Sequence, residues 1–325
     1  MGNVIMNLIV AAVLAGTPLL FGTLGEILTE KSGNLNLGVE GMMFMGSIAG
    51  LAGAMKYESV AANPRGGMAV LVAIICAFGC GVLGALIYSI ITVTLRANQN
   101  VTGLALTIFG TGFANFFGEV LGNNAGGYAA VGDVVKAGFS NVNIPVLSSI
   151  PVIGRLVFSY NSLVYVGIIT AIIIAVLLNK TRIGLNLRAV GENPSTADAA
   201  GINVTKYKYL ATCIGGGICG IVGMYVSMVT CSGIWVHNCV SGKGWIAVAL
   251  VIFAIWRPKR ALLGGLIFGL LSIMRLYIPL KIPMQIYDIF PYIATIIVLI
   301  AISLRRKREN QPPASLGLAY FREER

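Results

Sequence analysis

Long apolar stretches follow one another from the first residues to position 304, separated by short polar or glycine-rich breaks. A bilayer core of about 30 Å is crossed by about 20 helical residues. Hydropathy and turn residues divide the chain into segments 4–28, 33–55, 68–95, 98–122, 162–178, 207–229, 243–256, 257–278 and 286–304. The second, fourth and seventh are short or interrupted by glycine and polar residues, which predicts half-helices in place of some full crossings. The pattern predicts an all-α polytopic transmembrane helical bundle of about eight to ten spans, some broken. It reads as one domain over 1–304 followed by a basic tail, 305–325.

Composition removes the soluble alternatives. Of 325 residues, 57% are hydrophobic and 11% charged, with a mean hydropathy of +0.85, whereas soluble domains carry about 25% charged residues. The net charge of +11 has a topological explanation. With Arg305, Arg306, Lys307 and Arg308 placed in the cytoplasm, as the positive-inside rule asks, alternation through nine crossings puts the N-terminus outside. Most of the 23 Lys and Arg residues then fall on the cytoplasmic side, and no nucleic acid is needed to account for them. The first basic residue is Lys31, so the N-terminal apolar segment reads as a retained span, since a signal peptide opens on positive charge.

Two connections are long. Residues 123–161 are expected as an external, surface-hugging segment, and 179–206 as the main cytoplasmic loop. In that loop Asn193 can cap a helix whose first residue is Pro194, Ala197–Ala200 favour its continuation, and Gly201 suits its left-handed end. A helix of two turns at most is expected there.

Catalytic chemistry finds no support. His237 is the one histidine, and the six cysteines form no CxxC pair, so no metal set is expected. Cys231 and Cys239 flank an outer loop, as a disulfide or as free thiols. Gly215, Gly217 and Gly220 imitate a dinucleotide fingerprint but lie inside an apolar segment with no preceding strand, where Gly216 and Gly220 read as a helix-packing face. Gly242–Lys243 lacks the remainder of a phosphate-binding loop, and TCSG at 230–233 lacks the first glycine of a serine-protease motif. Trp235, Trp245 and Trp256 read as interface anchors. His237, Glu119, Asp133 and Asp288 read as outer surface.

Polar chemistry inside apolar sequence is what stands out. Ser32-Gly-Asn-Leu-Asn-Leu-Gly-Val-Glu-Gly41 opens a segment that turns strongly apolar at Met42, and Glu40 reads as the only acid well inside such a segment. Intramembrane ionisable groups normally face the bundle interior or a pathway. Asn98, Gln99 and Asn100, followed by Thr102, Thr107, Thr111 and Asn115, give the fourth segment similar character. Asn34, Asn36, Glu40, Asn98, Asn100, Thr107 and Thr111 are therefore expected to approach one internal cavity and contact substrate. The competing reading is structural: Glu40 held by backbone N–H groups at a helix start, and Asn and Thr bonding neighbouring helices.

SGNLNLGVEGMMFMGS at 32–47, LRAVGENPSTADAAGINV at 187–204 and GKGWIAVALVIFAIWRP at 242–258 resemble the permease subunits of bacterial ABC importers. The branch they are most similar to is fed by nucleoside-binding basic membrane lipoproteins, and is related to permeases for ribose, other simple sugars and branched-chain amino acids. The likeness runs from about residue 15 to 304. It implies a bacterial plasma-membrane subunit that moves a small molecule by alternating access, without chemistry of its own. Its implied partners are a second, homologous permease, an extracytoplasmic substrate-binding lipoprotein and a cytoplasmic ATPase. No cofactor is implied in this chain, ATP and Mg belonging to that ATPase. Glu192, Asn193, Pro194, Ser195, Thr196, Ala197, Asp198, Ala199, Ala200 and Gly201 would then couple to the ATPase. Nucleosides are the expected substrate, with riboflavin or a ribose-like sugar as alternatives. Outside the class, an ion-coupled secondary transporter working through Glu40 is the rival, and a membrane scaffold a poorer third.

Overall fold

A computed structural model describes residues 2–142, 153–277, 283–305 and 311–322. These residues form thirteen α-helices and no strand, apart from one isolated bridge between Ala130 and Ile234. The helices are α1 (Gly2–Glu30), α2 (Val39–Val60), α3 (Gly66–Ser89), α4 (Gln99–Asn124), α5 (Asp133–Phe139), α6 (Ile153–Val157), α7 (Ser162–Lys180), α8 (Arg182–Glu192), α9 (Pro194–Ala199), α10 (Val204–Tyr225), α11 (Lys243–Ala254), α12 (Pro258–Tyr277) and α13 (Met284–Arg305). Two π-helical turns, Ile90–Thr94 and Val226–Thr230, prolong α3 and α10. Helices are imposed by the solvent, because hydrocarbon offers backbone N–H and C=O groups no partner outside the segment itself.

Among the described residues, Val4–Glu30, Gly66–Thr94, Gln99–Asn124, Ser162–Lys180 and Val204–Thr230 are long and apolar enough to cross a membrane. α10 is the most buried of these and forms the axis of the bundle, with α1, α2 and α3 packed around it. Close approach depends on glycine. A Cβ on Gly220 would lie 2.2 Å from the Ala77 carbonyl oxygen of α3, and one on Gly46 would lie 2.2 Å from the Gly220 oxygen. The glycine-rich run is thus a three-helix seam, the packing face expected of it. The outer faces of α3, α4, α7 and α13 expose Ile75, Ile108, Phe116, Ile173 and Ile297, the inverse of a soluble surface.

Two expectations change here. The 179–206 connection holds three turns of α8 in addition to α9, because Thr181 caps α8 by accepting from Gly184 N at 3.1 Å and Leu187 and Val190 bury one face of it. A two-turn limit overlooked that cap. In the tail, residues 311–322 lie against the bundle: Ser315 N donates to the Gly191 carbonyl at 3.0 Å and Gly317 N to that of Gly33 at 3.2 Å.

Candidate functional site

The site is built on a helix that starts in the middle of the bundle. After α1 the chain turns at Gly33, whose φ of +86° is left-handed, and runs back inward as far as Gly38. Met42 meets Gly216, well inside α10, so α2 begins about 15 Å from the end where α10 begins. Five backbone groups of this break have side-chain partners. Leu35 N donates to Gln99 Oε1 at 2.6 Å, and Leu35 O accepts from the Tyr88 hydroxyl at 2.5 Å. Asn36 N donates to Glu26 Oε1 at 3.3 Å, Leu37 O accepts from Thr107 Oγ1 at 3.0 Å, and Gly38 N donates to Asn36 Oδ1 at 2.9 Å. A broken helix survives in an apolar medium only with this accounting closed.

Glu40 sits in the first turn of α2, and α11 also starts here. Gly242, the N-cap of α11 at φ +81°, donates its N–H to Glu40 Oε1 at 3.0 Å. A Cβ on Gly244 would fall 2.5 Å from that of Glu40. Two helix N-termini therefore converge on one carboxylate, and both their partial positive charges favour an anion there. Glu40 is 7% exposed, and its Oε2 has no hydrogen-bond partner among the described residues. Gly242 and Lys243 also line a cavity of about 490 Å³ between α1, α11, α12 and α13, with Thr230, Ser272, Tyr287 and Tyr292 in its wall. Its wall mixes hydroxyl, aromatic and aliphatic groups with Lys243, whose ammonium donates to the Cys239 carbonyl at 3.1 Å.

The seven proposed substrate residues do not share one environment. Asn34, Asn36, Glu40 and Thr107 gather at the break: Asn34 Nδ2 donates to Thr212 Oγ1 at 2.8 Å, and its Oδ1 is buried without a partner among the described residues. Asn98 caps α4, its Oδ1 accepting from Val101 N at 3.1 Å. Asn100 is exposed on the outer face of α4, and Thr111 bonds back to the Thr107 carbonyl at 2.9 Å. None of the seven lines the 490 Å³ cavity.

Glu40 is not the only acid inside an apolar element. Glu26 and Glu30, one turn apart on α1, are 0% and 3% exposed. They close an apolar run, so hydropathy alone passes over them, although their i, i+4 spacing on one face is legible in the sequence. Trp256 is no interface anchor: it is 7% exposed and its indole N–H donates to Glu30 Oε2. That bond holds a costly backbone, since Ile255 and Trp256 adopt φ of +54° and +50° in succession, a conformation β-branched and bulky residues rarely enter. Trp235 is tucked against Gly118. His237, expected as a solvated residue, pairs with Glu119 at 3.5 Å on the outer surface, because the loop that carries it lies along α4, where Asn115 Nδ2 donates to Asn238 Oδ1 at 3.0 Å.

At the other end, α9 has the anticipated ends. Asn193 Oδ1 accepts from Thr196 N at 3.0 Å, Pro194 is first in the helix, and Gly201 has φ +82°. Ala197 is buried against Val190 and Val204. Asp198 Oδ2 accepts from the Tyr320 hydroxyl at 2.8 Å and pairs with Arg322 Nε at 3.2 Å, so the tail is strapped to this helix.

The fold and the site together define a polytopic helical membrane bundle with a broken helix inside it and a polar-lined cavity beside the break. Residues 8–299 match the family model described as "Branched-chain amino acid transport system / permease component"; the chain belongs to this family of ABC transporter permeases. It is 37% identical over 83% of its length, and 77% of the other's, to the Haloferax volcanii protein named "Putative glucose ABC transporter permease protein TsgC13". It is 33% identical to the nucleoside ABC transporter permease NupC of Lactococcus lactis over 91% of this chain and 92% of that one. The guanosine ABC transporter permease NupQ of Bacillus subtilis gives the same identity and coverage.

Proposed function

We propose that this chain is the membrane subunit of a nucleoside importer, with its N-terminus outside and its C-terminus in the cytoplasm. It works beside a second, homologous permease, is fed by an extracytoplasmic binding lipoprotein and is driven by a cytoplasmic ATPase. The observation that carries the substrate is the likeness, over nine-tenths of both chains, to permeases named for nucleosides and guanosine. The chemistry of the cavity wall agrees with it: Tyr287 and Tyr292 offer ring faces, and Thr230 and Ser272 offer hydroxyls, without an acid.

In this reading the break at 34–41 is the moving part. Asn34, Asn36 and Asn98 hold its backbone and the start of α4, while Glu40 fixes the two facing helix ends. Thr107 holds the Leu37 carbonyl of the break and Thr111 follows it on α4, while Asn100, on the exposed face of α4, meets the second permease. α9, with the residues from Glu192 to Gly201, docks on the ATPase, and the tail links it to the break through Gly33 and Gln99, whose Nε2 donates to the Leu318 carbonyl at 3.4 Å.

Co-expression with its neighbouring permease, ATPase and lipoprotein, followed by reconstitution into liposomes, tests this. ATP inside with lipoprotein and a radiolabelled nucleoside outside gives uptake. A proton or sodium gradient without ATP gives none; uptake on the gradient alone establishes the secondary-transporter alternative. The likeness to a permease named for glucose makes a simple sugar the second substrate reading, which holds if the lipoprotein is stabilised by sugars and not by nucleosides.

A further inference from the structure

A second cavity, of about 640 Å³, lies at the opposite end from the outer loops, between the end of α3, the start of α10, α9 and the tail. Arg96, Lys206, Lys208 and Arg322 line it, against one acid, Asp198, which Tyr320 and Arg322 already engage. Lys208 decides what the cavity is for. Its side chain is 3% exposed, and no hydrogen bond or ion pair to it occurs among the described residues. A buried ammonium without a counter-charge is costly, and an anion in the cavity that Lys208 lines would supply one.

Helix α10 adds a second attraction. Asn203 Oδ1 accepts from Lys206 N at 2.9 Å, which leaves the N–H groups of Val204 and Thr205, both in the cavity wall, without a partner among the described residues at the start of a 22-residue helix. Backbone donors, helix dipole and cations are the recipe for a phosphate site. We propose that this cavity binds a phosphate-bearing anion, with Lys208 at its floor, the α10 N-terminus on one side and Arg96 on the other. The phosphate comes either from a soluble phosphate or phosphate ester, or from the headgroup of an anionic lipid at the membrane surface. The site does not depend on the transport assignment, because its test reads binding alone.

The test uses the purified full-length chain in phosphatidylcholine nanodiscs, titrated with inorganic phosphate against chloride at matched ionic strength, with melting temperature as readout. A saturable stabilisation that weakens about tenfold or more in Lys208→Met, and not in Lys180→Gln, an exposed position outside the cavity wall, supports the site with a soluble source. If stabilisation appears instead on adding phosphatidylglycerol to the nanodiscs, with Lys208-dependent retention of that lipid seen by native mass spectrometry, the headgroup is the source. No saturable response to either, or an equal response in Lys208→Met and wild type, overturns the proposal. Should Lys208→Met not fold, Arg96→Gln on a separate element carries the same comparison.

Discussion

At Glu40 one side chain serves two helices, which makes graded substitution informative. Glu40→Gln keeps an acceptor for Gly242 N–H but removes the charge shared by two helix N-termini, at a cost of about 1–2 kcal/mol in a buried setting. Glu40→Leu also leaves that N–H unsatisfied, adding about 1–3 kcal/mol. Melting temperatures in detergent should fall in the order wild type, Gln, Leu. An ATP-driven importer retains uptake in the Gln variant in proportion to folded protein, whereas a proton-coupled carrier loses gradient-driven uptake outright. Cys231 offers a second residue-scale check. A hydrogen bond from the Cys239 thiol outweighs the opposing effect of partial burial and brings the Cys231 thiol down to about 7, from an ordinary value of 9.0. Its alkylation rate should therefore rise to half its maximum near neutral pH, and Cys239→Ala should move that midpoint upward. An unchanged midpoint shows that the pair does not interact.

For elements, the argument concerns who satisfies a helix end. α9 is six residues long, far too short to be stable alone, and persists through the Asn193 cap, burial of Ala197 and the strap on Asp198. Its first helical bond runs from Ala197 N to Asn193 O at 3.0 Å. Ala197→Pro deletes that bond and pushes a ring against the carbonyl, costing about 3 kcal/mol locally. The protein should still insert and still pair with the other permease, but substrate-stimulated ATP hydrolysis and uptake should both disappear; normal transport refutes the coupling role. α11 shows the same logic inside the bundle, where a buried carboxylate carried by α2, in place of an Asn or Ser cap, receives the N–H of Gly242 at the helix start.

As a whole, the molecule has two chemically different ends, and this makes its orientation measurable. Glu58, near the far end of α2, accepts from Gly132 N at 2.8 Å and so holds the start of α5 against it, while the tail covers the end that bears α8 and α9. In a background without native cysteines, Cys introduced at Asn141 should react with an impermeant reagent in intact cells, and Cys at Ala199 only after permeabilisation. Equal labelling of both refutes the topology.

The hydrophobic pattern alone determined that the chain is a helical membrane bundle, because spanning length and backbone satisfaction in hydrocarbon are local demands; of the segments it reads as short or interrupted, the fourth is one continuous helix, Gln99–Asn124. The short helix from Pro194 was equally legible, since Asn, Pro and Gly state its ends within eight residues. Only the tertiary structure decided which polar groups matter together. Glu26 receives the N–H of Asn36 and Glu30 the indole of Trp256, 226 positions away, and Glu40 becomes the meeting point of α2 and α11 through Gly242, 202 positions away. No local pattern encodes such pairs. What selects them is the cost of an unpartnered polar group in an apolar interior, and that cost is settled only when the helices have packed.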